Sequence, residues 1–484
     1  MAANGRVMVL IQLAGGNDGL NTIIPLDQYS ALSVARSNIL IPEKKVLPID
    51  GISVTGFHPS MQGIQKLYND GLVNIVQGVC YPDPIYSHFR ASDIWLTASD
   101  ATQYLNDGWL GRYLAEEYNG YPQGYPNNEQ PDPPAIEIGT TVSKALVGPN
   151  TSMGMALTDI DSFYHLIGNT VADAPDTPAG HELTFLRYIA QQTQSYTSSL
   201  QKAAAKAKNI STLYPAGNAL AEKLKIVARL IAGGLQTPIY LVSHGSFDSH
   251  ANQTEASDTT AGTHAALLNK LSEAVVAFLD DCKLLQTDDR VAAMTFSEFG
   301  RRIISNGSQG TDHGSAQPIM VFGKNVNPGI IGSNPVIPVK ATVRDNLDMQ
   351  HDYRSVYASV LADWFQVSQN VMQDVLLNDY SVLPIFKKAT PEPTPQRTSD
   401  MLSQNYPNPF ALSTTISFKS EGGNVFILLL DHSGRSTITI TNQEYAAGNY
   451  TISVQRDNLP AGNYFYKFLH KQYTITKKMT ITNS

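Results

Sequence analysis

Between residues 7 and 364, short apolar runs alternate with long helical patterns, and this alternation constrains the fold more than any other feature of the chain. Val7–Leu13, Leu72–Gln77, Pro238–Val242, Val291–Phe296 and Ile319–Phe322 are strand-sized and largely apolar, whereas Leu220–Ile231, Ala265–Leu285 and Tyr353–Trp364 carry apolar residues at helical spacing. Strands that are apolar on both faces must be covered on both. The pattern therefore predicts an α/β domain in which a mainly parallel sheet is sandwiched by helices.

Past residue 400 the rhythm changes. Thr414–Phe418, Val425–Leu430, Ser436–Thr441, Tyr450–Gln455 and Tyr464–Leu469 are separated by Gly, Pro and Asn, which predicts a small all-β sandwich over 401–484. Composition shifts at the same place: residues 401–484 carry seven Lys/Arg and four Asp/Glu, against 27 and 38 upstream. Residues 389–400 set Pro391, Pro393 and Pro395 between the two patterned regions and read as a semi-rigid linker, so the expected domains are 1–388 and 401–484. Residues 118–134, rich in Tyr, Pro, Asn and Gly, show no periodicity and are expected to form a long loop, a candidate lid.

An acidic main body without a Lys/Arg stripe argues against a nucleic-acid partner. No apolar run reaches the roughly 20 residues of a transmembrane helix. Cys80 and Cys282 allow at most one disulfide and no cysteine metal cluster. Met1-Ala-Ala-Asn-Gly-Arg leads straight into Val7–Leu13 with no charged n-region or cleavage site, so an exported form of this chain is expected to have had a leader upstream.

In an open parallel sheet, ligands gather beyond the carboxyl ends of the strands, which makes the polar residues after each expected strand the candidates. Gly15-Gly-Asn-Asp18-Gly19 follows the first strand and displays Asp18, although the same residues also fit an Asx turn with a capping aspartate. The second strand leads to Ser87-His88-Phe89-Arg90 at the start of a helical pattern. Ser87 is there either a helix cap beside a packed histidine or an activated hydroxyl. Ser243-His244-Gly-Ser-Phe-Asp248-Ser-His250 follows Pro238–Val242, and aspartate oxygens and neutral imidazoles are usual zinc donors. Glu298 and Arg301 follow Val291–Phe296, and Asp312-His313 precedes the next strand. Together these form a set of Asp/Glu/His donors drawn from separate strand ends. Asp352 and Arg354 open the last helix, the first as a cap and the second as a possible partner for an anionic oxygen.

Seven motifs, Gly15-Gly-Asn-Asp-Gly-Leu-Asn21, Tyr86-Ser-His-Phe89, Gly108-Trp-Leu-Gly-Arg112, Phe247-Asp-Ser-His250, Phe296-Ser-Glu-Phe-Gly-Arg-Arg302, Gly310-Thr-Asp-His-Gly314 and Asp352-Tyr-Arg354, resemble in this order the bacterial family catalogued as domain of unknown function 1501. That family is similar in pattern to the alkaline phosphatase and sulfatase superfamily. The resemblance implies a metal site of one or two ions, usually zinc, that hydrolyses phosphate or sulfate esters. By position, Asp18, Asp248, His250, Glu298 and His313 resemble metal ligands and Ser87 the nucleophile, with Arg301 or Arg354 neutralising developing charge. Phe299 stands where that superfamily has His, which would remove one nitrogen donor.

Leu402-Ser-Gln-Asn-Tyr-Pro-Asn-Pro-Phe410, Asp431-His-Ser-Gly-Arg435, Leu459-Pro-Ala-Gly-Asn-Tyr-Phe-Tyr466 and Lys477-Lys-Met479 resemble the C-terminal sorting domain of the type IX secretion system of Bacteroidota-like bacteria. The resemblance implies passage to the periplasm, then export by that machinery to the medium or cell surface. The resulting expectation is an exported metal-dependent hydrolase acting on small anionic esters. The competing one is a secreted or cell-surface binding protein that retains the fold without turnover.

Overall fold

The structure is a computed structural model that describes residues 5–158, 177, 196–388, 401–431, 436–471 and 473–482. The chain divides into two compact units, Met1–Lys388 and Ala389–Ser484. The linker expected over 389–400 lies outside the described residues.

In the first unit a nine-stranded sheet runs, edge to edge, through Gly329–Ile331, Val73–Cys80, Gln317–Phe322, Val291–Phe296, Val7–Leu13, Ile239–His244, Ala135–Ile138 and Gly154–Leu157, with His351–Asp352 also paired to Val73–Cys80. Neighbours are parallel except at Gln317–Phe322, which is antiparallel to both of its partners. All five strands expected from the apolar runs are present in this mainly parallel sheet. Ala135–Ile138 and Gly154–Leu157, four residues each, were too short to stand out.

Successive residues of one strand feed two cores, as the pleat requires. Met8 and Leu10 join Leu241, Met294, Trp95, Trp109, Tyr353 and Trp364, while Val9 and Ile11 join Tyr240, Val242, Leu224, Val227, Leu271 and Phe278. Helices Ala219–Ala232 and Thr263–Leu284 cover the second face; His88–Thr97, Trp109–Glu117 and Tyr353–Ser359 cover the first. Asn218 caps Ala219–Ala232 by accepting the Ala221 N–H at 3.2 Å, and Trp109 stacks on Tyr357 at 4.1 Å between ring centroids.

Residues 118–134 are not a lid over the carboxyl ends of the strands. Asp132 Oδ2 accepts the Gln236 N–H at 2.8 Å and the Pro133 carbonyl accepts the Thr237 hydroxyl at 2.8 Å. Both donors precede Ile239–His244, so the end of the loop is fastened at the amino edge of the sheet.

The second unit is all-β and antiparallel, in the order Ser436–Gln455, Ser413–Leu430, Gly462–His470, Tyr473–Ile481. Of the five expected short strands, the first two and the next two each run on as one and the fifth stands alone, leaving three, and Tyr473–Ile481 is a fourth that the spacing did not single out. Along Ser413–Leu430 the buried positions are Thr414, Ile416, Phe418 and Ser420, then Val425, Ile427 and Leu429. This change of parity falls at Gly422 and Gly423, whose φ of +83° and +117° few other residues adopt, so the glycines that looked like a strand break are a twist within one strand.

Each unit has its own core, which predicts independent folding. A stop after Lys388 is expected to leave a soluble α/β unit that melts cooperatively by circular dichroism, and limited proteolysis of the full chain is expected to cut first between residues 389 and 400. Recovery of the truncated chain only as aggregate contradicts this division.

Candidate metal centre

The loops after three parallel strands meet at one buried guanidinium. Arg301 is wholly buried and donates Nε to the Gly16 carbonyl at 2.7 Å, Nη1 to Thr311 O at 2.8 Å, and Nη2 to Gly15 O, to Phe247 O at 3.0 Å and to Asp248 Oδ1 at 2.8 Å. Such close approach explains the glycines. A Cβ on Gly15 would lie 2.3 Å from the Asp248 nitrogen, and one on Gly16 2.3 Å from the Phe299 ring. Arg301 is therefore a clamp on the backbone and on Asp248. Its donors are spent on the protein, which corrects its expected role in neutralising charge on a substrate.

Around Asp248 stand three imidazoles. Its Oδ1 is 3.2 Å from His313 Nε2 and 3.2 Å from His250 Nε2, and its Oδ2 is 3.4 Å from His88 Nε2. Donor atoms of His88, Asp248 and His313 all lie within 4.8 Å of one another. Each ring is held from behind. His88 Nδ1 meets Glu298 Oε1 at 3.0 Å, His250 Nδ1 meets Asp312 Oδ1 at 3.1 Å, and His313 Nδ1 meets the Tyr86 carbonyl at 2.8 Å. These partners are acceptors only, so each neutral ring carries its proton on Nδ1 and turns the Nε2 lone pair toward Asp248. His250 Nε2 and His313 Nε2 are 2.8 Å apart, and two lone pairs that close, beside a carboxylate oxygen, repel unless a cation or a proton lies between them. Burial depresses the His313 pKa, aided by Arg301 and His88 and opposed by the bond to Tyr86. Burial would raise that of Asp248, but Arg301, with His313 and His250, outweighs it and holds the carboxyl below its usual range.

Of the expected ligands, Asp248, His250 and His313 are brought together. Glu298 is close but faces Nδ1 of His88 and also accepts the Gly15 N–H at 2.7 Å, so it braces that ring from behind. Asp18 is elsewhere, and its environment corrects its assignment as a ligand. Its buried carboxylate receives Arg36 Nη1 at 3.0 and 2.8 Å, Gln253 Nε2 at 2.6 Å and, as the cap of Gly19–Thr22, the Leu20 N–H at 3.2 Å. Burial would raise the Asp18 pKa, yet Arg36, His264 and Gln253 together lower it. Arg354 is likewise committed, to Asp352 at 2.8 and 2.7 Å, to Asp100 and to the Tyr380 ring at 4.6 Å, and Asp352 is the helix cap. Neither is poised for a substrate anion. Ser87 immediately precedes helix His88–Thr97; it is exposed and makes no capping bond. Phe299 is buried against His88 and His313, with centroids at 4.9 and 4.4 Å, and walls the centre without donating to it.

The member of this cluster that sequence reasoning did not count among the candidate ligands is His88. Its signal was the pair Ser87-His88 after a strand, with the weight placed on the serine. His244, the last residue of Ile239–His244, meets the Leu267 carbonyl at 3.1 Å and the Phe247 ring, outside the cluster.

The unit is thus an α/β domain with a three-histidine, one-aspartate centre at the carboxyl edge of its sheet. Residues 148–376 match the family described as Protein of unknown function (DUF1501), and residues 404–482 match the Secretion system C-terminal sorting domain. The motifs at 15–21, 86–89 and 108–112 precede the first matched stretch. No curated protein matches the chain. Solved structures similar to it include a Bacteroides thetaiotaomicron protein described with the metabolism of multiple glycosaminoglycans (9% identity, 98% of this chain and 89% of that one, TM-score 0.37). They also include a protein in the alkaline phosphatase superfamily from Vibrio parahaemolyticus (10%, 89% and 81%, 0.34) and the PsFucS1 sulfatase from Pseudoalteromonas sp. (9%, 92% and 83%, 0.33). The sorting domain indicates secretion or export to the cell surface. Among the described residues no helix is long and apolar enough to cross a membrane.

Behind the centre two further histidines are buried neutral. His264 donates Nε2–H to Asn17 Oδ1 at 3.0 Å, and burial pushes its pKa down to about 4; His58 is pushed down to about 3, by burial and then by His264. Unfolded, both titrate near 6.5. The folded state then binds fewer protons, so stability falls as pH drops below about 6.5 and continues to fall toward about 4. By urea unfolding at pH 7 and pH 5, the protein is expected to lose about 2 kcal/mol more than His264→Gln, which keeps an amide donor for Asn17. Equal losses would show that His264 is not held neutral.

Proposed function

We propose that the first unit holds one divalent metal ion, zinc by its donor set, on Asp248, His88, His250 and His313, and hydrolyses phosphate or sulfate esters outside the cell. The observation that carries this reading is the convergence of three Nε2 lone pairs on one carboxylate, each ring fixed through Nδ1 by an acceptor. Three imidazoles and a carboxylate suit zinc in number and kind. Bound there, the ion would supply Lewis-acid neutralisation of charge on the ester oxygens.

The chain's own groups do the rest. Glu298, Asp312 and the Tyr86 carbonyl fix the ring orientations, and Arg301 fixes Asp248. The oxygen nucleophile, the Ser87 hydroxyl or a water, gives up its proton and forms a new bond to phosphorus or sulfur. The bond to the alcohol oxygen breaks and that oxygen takes up a proton; where Ser87 has attacked, water then displaces it from phosphorus or sulfur, returning the proton to its oxygen and releasing the inorganic anion. With Arg301 and Arg354 committed elsewhere, neutralisation of the anion falls to the metal. One ion rather than two is expected because Arg36 already supplies the cation beside Asp18. The tail, read as a type IX signal, would carry the protein out after a leader had brought it to the periplasm, so in its native host a stop after Lys388 should strand it there.

Elemental analysis after zinc re-addition is expected to give about one equivalent, with less than about a tenth in His88→Ala and His313→Ala. Ser87→Ala should keep its zinc and lose turnover of 4-nitrophenyl phosphate or sulfate if the serine attacks, and keep both if water does. A zinc-loaded protein inert toward both esters would favour the secreted binding protein, and failure to retain zinc would remove the metal reading itself.

Glu298→Gln isolates the outer support. The amide still accepts from His88 but lacks the charge that makes the imidazole a stronger donor, so zinc affinity in a competition titration should fall by about 10- to 100-fold with the fold unchanged. An unaltered affinity would separate Glu298 from the centre.

A further inference from the structure

His88 faces two ways. Its Nε2 points at Asp248, while its ring also borders an open hollow of about 360 Å³ formed with Phe89, Ser92, Asp93, Leu96 and Lys144. The hollow follows one side of helix His88–Thr97 away from the metal donors. Phe89, in the first turn, is 92% exposed. An aromatic ring so open, one residue from a candidate ligand, offers a large apolar face that no partner among the described residues covers. The far wall is polar. Asp93 takes Lys144 on one carboxylate oxygen and Arg90 on the other, and these contacts hold its side chain in place beside the Ser92 hydroxyl.

An ester has two halves. Its anionic group belongs at the donors, and its alcohol half must then project into space continuous with them. The hollow borders the donors at His88, whose ring lines it while Nε2 faces Asp248, and its lining states the chemistry of what fits: an apolar face against Phe89 and Leu96, with polar edges toward Ser92, Asp93 and Lys144.

We propose that this hollow seats the alcohol half of the substrate and that its occupant is a six-membered ring presenting an apolar face to Phe89. The inference rests on the ester-hydrolase reading of the adjoining centre and adds the class of alcohol it selects. A methyl or other small ester leaves Phe89 bare, whereas a ring removes its face from water.

Binding to the zinc-loaded full chain tests this without turnover. By calorimetry, phenylphosphonate and cyclohexylphosphonate are expected to bind about tenfold tighter than methylphosphonate, the effect of taking roughly 60 Å² of apolar surface out of water. A preference for phenyl over cyclohexyl identifies an aromatic alcohol, and parity a saturated ring such as a sugar. Phe89→Ala should abolish the ring preference, leave methylphosphonate affinity and zinc content unchanged, and Phe89→Trp should restore it. Equal affinity for all three ligands, or a preference that survives Phe89→Ala, overturns the proposal. Absence of binding by any phosphonate overturns it as well, and if zinc is retained it locates the failure in the ester reading rather than in the metal.

Discussion

The arrangement at the carboxyl edge of the sheet depends on one guanidinium. Parallel strands deliver their loops to the same edge but do not fix how those loops lie against one another, and loop carbonyls in a dry place need donors. Arg301 supplies them to Gly15, Gly16, Phe247 and Thr311 and still keeps a bond for Asp248. A planar group with five donors is suited to this; lysine, with its charge at one point, cannot span four carbonyls and a carboxylate. The cation that draws the loops together also keeps Asp248 ionised, so assembly of the loops and readiness of the site share one cause.

A second polar cluster lies beneath. Gln253 donates to Asp18, and its Oε1 accepts from Ser249 at 3.1 Å, between Asp248 and His250, and from Thr311 at 2.8 Å, two residues before His313. Arg36, bound to Asp18, also reaches the carbonyls of Ile303 and Arg302 on the ribbon that carries Arg301. The aspartate that resembled a metal ligand is thus the anion of an internal ion pair with its donors satisfied. Buried pairs of this kind resist removal of either member, because the survivor is left charged and unsolvated.

What could be read from the residues alone follows from the range of each interaction. Strand positions and the loops after them were legible because apolar periodicity is local, and Asp248, His250 and His313, which the fold brings together, could be singled out because each follows or precedes a strand at the same edge. Arg301 and Arg354 were misjudged for the opposite reason. Whether a guanidinium faces a substrate or backbone carbonyls is decided by residues tens or hundreds of positions away, such as Gly15 for Arg301 and Asp100 for Arg354. His88 shows a third case, in which a local signal was present but divided: a serine before a helix is a cap as readily as a nucleophile, and this draws attention from its neighbour. In the tail, Gly422-Gly423 looked like a break between strands, and only cross-strand pairing through the twist shows that the strand continues.

Charge balance explains why the centre needs three carboxylates when only one of them faces the donors. With neutral imidazoles, the formal charges of Asp248, Glu298 and Asp312 against that of Arg301 sum to −2, carried by groups in direct contact. A divalent cation cancels that charge. Without one, a proton on any Nε2 would occupy an atom that a metal would use. Protons and a metal would therefore compete for the same lone pairs. Geometry decides between them: a proton is shared between two atoms, whereas four donors arranged around one point reward an ion that can use them all.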